Sequence, residues 1–324
     1  MTTAPFFKQI TDDIVKRMET APQDWLPRWA SVGMPRNAYT KAHYRGINIL
    51  ALALKGMTAE YSTRYWATVK QWNLLGSQVR KGEKGTAIIY FEPREKVDPV
   101  TKEKSTYGFT RYSYVFNAAQ TDGWEPPAMA TYADPMERDQ ACDEFITNTK
   151  ATIKTGGDHA FYRPSTDEIT LPPFTQFVSG DAFYATAFHE LVHWTGAEKR
   201  LNRKLATKLE RQEYALEELI AELGSAFTCG ILGFDGTLRD DHAQYIRGWI
   251  KMLKDHETAI MSAAAAASTA VNYLFELTGS SMLPKEHHDG QAPASEHSAD
   301  PSLQAQSPGQ VRTESGLVEP QFAC

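Results

Sequence analysis

The sequence predicts an α+β chain in two parts: an N-terminal α+β domain with a small antiparallel sheet, and a mostly helical C-terminal domain followed by a disordered tail. Three observations predict it. Apolar residues recur at helical spacing up to Gly76, switch to strand-like runs, return to helical spacing after residue 136, and thin out beyond Pro284. Charge divides along the same line, with 18 Lys+Arg against 12 Asp+Glu in residues 1–130 and 16 against 28 in residues 131–324. Five of the seven tryptophans also fall in the first 130 residues. The predicted divisions are 1–125, 126–283 and a tail over 284–324.

Phe6, Ile10, Ile14 and Met18 space a helix over 5–20, which the following Pro- and Trp-bearing stretch ends. HYRGINILALALKGM reads as a second helix, and TRYWATVKQWNLLG as a third that stops at Gly76. Ala87–Phe91 and 111–120 then read as paired strands joined by a charged loop at 92–110. TDGWEPPAMATYADP, 121–135, is rich in turn formers and reads as a linker. An amphipathic helix over 137–153 opens the second part, and DHAFYRPSTDEITLPP holds two short strands. Helices follow over 181–195, from 208 to about 231, over 241–255 and over 258–278.

Three dispersed cysteines indicate neither a disulfide framework nor a cysteine zinc finger, and that usage fits a reducing cytoplasm. The N-terminus carries acids early and has no apolar stretch of the secretory type. AIMSAAAAASTAVNYLF reads as a buried helix and not a membrane span, so a cytoplasmic protein with no membrane partner is expected.

AFHELVHWTG, 187–196, carries the chemistry. Four residues apart on one helix face, His189 and His193 can turn imidazole nitrogens to a single ion. Glu190 follows the first of them and is placed to take a proton from an ion-bound water. With nine histidines in the chain, chance yields roughly 0.02 such trios, so coincidence is a poor explanation. Apolar neighbours Phe188, Leu191, Val192 and Trp194 withdraw the pair from water, where their nitrogens need partners.

A catalytic Zn²⁺ needs a third protein ligand and an open position. YALEELIAELGSAF offers Glu217, Glu218 and Glu222. Glu218 is the expected third ligand and Glu222, one turn on, the partner of a ligand histidine, although spacing alone does not rank the two and Mn²⁺ is an alternative ion. Asp167–Pro172 alternates like a short edge strand, to which a peptide substrate could add. Tyr184 and Tyr214 lie nearby in sequence as candidates to polarise a carbonyl.

FHELVHWTG, then RLNR at 200–203 and YALEELIAELGSAF, resemble the zincin-type metallopeptidase domain of plasmid antirestriction proteins of the ArdC type. YRGIN at 44–48, WATVKQW at 66–72 and GSQVRKGEKGTAIIYF at 76–91 resemble the single-stranded DNA-binding domain of the same family, which also occurs fused to plasmid primases. The resemblance covers residues 5 to about 283. It implies a protein that binds single-stranded DNA and shields incoming plasmid DNA from host restriction during conjugation. The alternative is a DNA-coating protein whose metal site is structural or inactive.

Unpaired DNA needs cations for phosphate and flat groups for bases. Arg80, Lys81 and Lys84 sit on a glycine-bearing turn; Tyr44, Trp66 and Trp72 are candidate stacking rings; and Arg45, Asn48 and Gln71 supply donors. Composition alone would make that turn a solvated hairpin, and the resemblance is what makes it a site. A nuclease is the third reading, and two His with one Glu suit peptide hydrolysis better than two-metal phosphodiester cleavage.

Overall fold

A computed structural model describes residues 3–22, 25–26, 33–97, 104–127, 138–205, 211–233, 242–256 and 258–280. The tail assigned to 284–324 lies outside them. The chain is mixed α+β, as predicted.

Helix α1 (Thr3–Thr20) turns Phe7, Ile10, Ile14 and Met18 into the core. Strand β1 (Arg36–Asn37) leads into α2 (Ile47–Thr58), in which every residue from Ile47 to Leu54 is buried. That helix is covered all round, which is why its sequence is apolar without a polar face. The third helix of the sequence reading is two elements. Tyr65–Ala67 forms strand β2, and only Val69–Leu74 is helical (α3). Aromatic Tyr65 and Trp66 favour the strand. Thr68 starts α3 with a capping box, its hydroxyl accepting from Gln71 N–H while the Gln71 side chain accepts from Thr68 N–H.

Strands β3 (Gln78–Val79), β4 (Thr86–Val97) and β5 (Lys104–Asn117) follow. β4 and β5 pair antiparallel from Thr86↔Val115 to Val97↔Lys104, so most of the stretch predicted as a 92–110 loop is a long hairpin. The period-2 pattern weakens there because charged residues occupy both strands. The main sheet has the order β1-β2-β5-β4, antiparallel except for the parallel β1/β2 pair. Its β4 edge is closed by Asn48, which donates to Ile89 O (2.7 Å) and accepts from Ile89 N–H (2.9 Å). The start of the predicted linker is β6 (Thr121–Asp122), paired with β3.

Helix α4 (Gln140–Asn148) is shorter than the predicted 137–153, because Thr152–Thr155 becomes β7. Strands β8 (Phe161–Arg163) and β9 (Glu168–Leu171) complete a sheet of order β7-β9-β8. The predicted edge strand, β9, is therefore central, with β7 parallel on one side and β8 antiparallel on the other. A peptide has no open edge on β9.

Helices α5 (Gly180–Thr195), α6 (Arg211–Leu232), α7 (His242–Asp255) and α8 (Ala259–Thr278) build the rest. Ser179 caps α5 by accepting from Ala182 N–H. The alanines of α8 let it pack closely, with Ala263, Ala264, Ala267 and Ala270 all buried. One continuous core runs from Phe7 in α1 through α2 to Phe275 in α8, across residue 125. A second, small core joins Ala38, Tyr65, Ala67, Trp72 and Ala118. Among the described residues no single helix is long and apolar enough to cross a membrane.

Candidate metal centre and nucleic-acid interface

α5 and α6 pack face to face, and Gly224 permits the close approach: a Cβ there would lie 2.7 Å from Val192 Cγ2. This brings the histidines of α5 against the acids of α6. His189 Nε2 and His193 Nε2 stand 3.1 Å apart. The carboxylate of Glu218 faces both, 3.6 Å from His189 Nε2 and 3.7 Å from His193 Nε2. One donor atom from each of the three lies within 4.8 Å of the others. Glu222 faces the other side of His189, 3.4 Å from Nδ1, and Glu217 faces His193 Nδ1 at 3.1 Å.

These partners bear on whether a cation fits. The Glu217 carboxylate accepts a hydrogen from His193 Nδ1, so the Nε2 of that neutral ring keeps its lone pair, while Glu222 stands at ion-pair distance from His189 Nδ1. That lone pair points at His189 Nε2 across 3.1 Å with the Glu218 carboxylate beside both atoms, a cluster of donor atoms that attracts a cation. With bonds of about 2.0–2.1 Å, tetrahedral zinc donors stand roughly 3.3 Å apart, close to what is seen. Charge points the same way. Glu190, Glu217, Glu218 and Glu222 are all buried, Glu190 at 2% exposure, and buried carboxylates need cations. The donor set fits a divalent ion.

Burial opposes the charge on Glu217, but hydrogen bonds from His193 and Arg203 outweigh it and hold the carboxyl below its usual range. Glu218 is likewise penalised by burial yet brought down to about 2 by His189, His193 and a hydrogen bond from Tyr214. Tyr214 also meets Tyr245 hydroxyl to hydroxyl at 3.3 Å, and burial drives its phenol well above the ordinary value. Tyr184 turns away from α6 into hydrogen bonds with the start of α4. It is fully buried, and its hydroxyl bonds Asp139 O and the Asp143 carboxylate at the start of α4.

Sequence reasoning assigned no role to Glu217 or to Arg203. Arg203 forks onto Glu217 with Nε at 3.1 Å and Nη2 at 2.8 Å. The available signal was a third acid beside Glu218 on an apolar helix, which required a cation from elsewhere. Nearby, Arg200 lies over the Trp194 ring at 3.8 Å and bonds Asp167, tying the β8–β9 turn to the end of α5.

The nucleic-acid candidates divide by burial. Trp66 is 1% exposed and Trp72 wholly buried, its Nε1 donating to Phe116 O, so neither ring is open to a base. Tyr44 is buried with its hydroxyl on Trp66 O, and Asn48 is the edge clasp of β4. Gln71 belongs to the cap of α3. Arg80 is partly exposed but engaged by Glu83 and by the carbonyls of Thr121 and Ala119. Arg45, Lys81 and Lys84 remain exposed. Exposed rings that sequence reasoning missed are Tyr39, Tyr90 and Tyr114, the last at 50%. Tyr114 alternates with buried Val115 along β5, the one signal in the sequence that could have placed it outward.

Residues 4–116 match the N-terminal domain of anti-restriction factor ArdC, and residues 140–266 match the zincin-like metallopeptidase family. The chain is 33% identical over 284 residues to protein y4eC of Sinorhizobium fredii (strain NBRC 101917 / NGR234), described as uncharacterized, covering 84% of this chain and 92% of that one. It is also 38% identical over 291 residues to a DNA primase TraC of Escherichia coli, of which it spans 20%. Among solved structures, the metal-free antirestriction ArdC protein of plasmid R388 superposes with a TM-score of 0.72 at 35% identity, covering 84% of this chain and 97% of that one. The Mn(II)-bound form of the same protein gives 0.68 at 34% identity, with the same coverage of both chains.

Proposed function

The chain belongs to the ArdC antirestriction family, and on that premise we propose that it binds single-stranded DNA through its N-terminal half and protects incoming plasmid DNA from restriction during conjugation, while carrying a zinc metallopeptidase centre. The ligands are His189, His193 and Glu218, with Glu222 holding His189 through Nδ1. The observation that carries the metal centre is the 3.1 Å approach of two Nε2 atoms whose Nδ1 atoms both face carboxylates. A bound Zn²⁺ would supply Lewis acidity to a water and a peptide carbonyl, and Mn²⁺, which binds imidazole-bearing sites more weakly, is the alternative ion. Glu190 takes the proton of the attacking water and returns it to the leaving amine. For DNA, Arg45, Lys81 and Lys84 offer charge to phosphate, and Tyr39, Tyr90 and Tyr114 offer faces to bases.

A second reading, a DNA-coating protein with a structural ion, is favoured by the burial of Glu190 and Glu218, which leaves little room for a peptide chain. Two variants separate the readings. Glu190→Gln is expected to keep its metal and lose peptide cleavage, and Lys81→Ala/Lys84→Ala to lose single-strand affinity. Restriction protection lost only in the lysine variant assigns protection to coating; protection lost only with Glu190 assigns it to hydrolysis.

A further inference from the structure

We infer that Arg203 is a positioning residue of the metal centre, fixing the ring of His193 through Glu217 so that Nε2 faces the point shared with His189 and Glu218. The inference rests on the metal reading above and extends it to two residues beyond the ligand set. Glu217 Oε1 lies 3.1 Å from His193 Nδ1 and accepts from Arg203 Nη2 at 2.8 Å, while Oε2 accepts from Arg203 Nε at 3.1 Å. Both carboxylate oxygens are thus held by one planar fork, which sets the rotation of the carboxylate and hence the direction from which it meets the ring.

The same guanidinium grips the helix that carries His193. Nη1 donates to Thr195 Oγ1 at 2.8 Å and Nη2 to Val192 O at 2.7 Å. Arg203 therefore spans from the last turn of α5 to the acid of α6, closing a ring of contacts: α5 backbone, Arg203, Glu217, His193 and back to α5. A ligand histidine whose second nitrogen is anchored this way loses the freedom to turn about its own side-chain torsions. The path needs room. A Cβ at residue 196 would come within 3.0 Å of Arg203 Nη2 and 2.6 Å of Leu205 Cδ2, so Gly196 lets the Arg203 loop fold back over the helix end. Lysine does not replace this residue, because a single ammonium cannot hold both oxygens and two α5 acceptors at once.

The test is the affinity of the full-length metal-free protein for Zn²⁺, measured by competition with a chromophoric chelator. Arg203→Met is expected to weaken Zn²⁺ binding by about ten- to a hundredfold, the range found when the partner of a ligand histidine is removed. Arg203→Lys is expected to recover no more than about threefold of that loss, since it restores charge but not the fork. Glu217→Gln leaves the grip on Thr195 and Val192 intact and is expected to weaken binding as well. Should Arg203→Met prove unfolded, Glu217→Gln carries the comparison alone. The double variant is expected to bind no more weakly than the weaker single one, because both act through one path. A folded Arg203→Met protein with lowered thermal stability but wild-type Zn²⁺ affinity would overturn the inference and leave the metal centre standing. Absence of stoichiometric Zn²⁺ binding in the wild type would overturn both.

Discussion

His193 lies one turn beyond His189, and their Nε2 atoms meet at 3.1 Å while each Nδ1 turns to a different glutamate of the neighbouring helix. This crossing ties the ligand geometry to the packing of α5 on α6.

Because the ion would bind the folded protein, saturating Zn²⁺ at about 100 times Kd is expected to stabilise the protein by about 2.7 kcal/mol. Glu218→Gln is expected to abolish that gain, while Glu222→Gln reduces affinity and keeps a measurable shift. Thermal melts with and without Zn²⁺ and chelator read this directly. Equal loss in both variants would leave Glu218 and Glu222 unranked as third ligand.

Gly224→Ala tests the helix approach. Alanine gains about 1 kcal/mol in helix propensity, but its Cβ would meet Val192 Cγ2 at 2.7 Å in a region without slack. Val192 is β-branched and buried, so it cannot rotate away at low cost. Net destabilisation of about 1–3 kcal/mol in urea unfolding, with weaker Zn²⁺ binding, is expected. A stabilised variant would mean that α5 and α6 separate freely.

Asp167 sets a pH expectation. Burial raises its carboxyl, but hydrogen bonds from Arg200, Lys199 and Tyr162 outweigh this and hold it well below the usual range. A group depressed in the folded state contributes stability above its unfolded value, about 3.9, and loses it as pH falls toward the folded value. Asp167→Asn is therefore expected to cost about 1–3 kcal/mol at pH 7 and progressively less below pH 4. Urea unfolding of both proteins at pH 7 and pH 3 would show the gap closing, and a gap that widens at pH 3 contradicts the assignment.

Continuity of the core makes a prediction about truncation. Trp25 packs against Trp249 with the rings tilted and their centroids 5.8 Å apart, Gly46 N–H donates to Ser268 Oγ at 2.8 Å, and Lys254 meets Glu19 at 2.6 Å. A 1–125 fragment would bare the apolar residues of α1 and α2 that α7 and α8 cover. It is expected to be protease-sensitive and to give a broad melt, whereas the full chain unfolds in one transition. A fragment with a sharp, reversible melt would show that the N-terminal part holds together alone.

Much of the helical framework was legible in the sequence because helix periodicity is local. Residues 181–195, 241–255 and 258–278 match α5, α7 and α8 to within a residue at either end. The stretch 63–76 reads as one helix but is not, because Thr68 begins a helix and the aromatic pair before it joins a sheet whose partner, β5, lies some fifty residues away. β9 reads as an edge in the sequence because the first half of its second neighbour, β7, continues the helical pattern of 137–153.

The sequence by itself determined that His189 and His193 share one helix face and that Glu218 and Glu222 share a face of a later helix, since i, i+4 spacing depends only on backbone geometry. It also carried the charge division and the family motifs. Tertiary structure alone decided which glutamate meets which nitrogen, that Arg203 holds Glu217, and that Trp66 and Asn48 look inward while Tyr114 looks out. The physical reason is that exposure and pairing belong to the elements that cover a residue, and those elements come from distant parts of the chain.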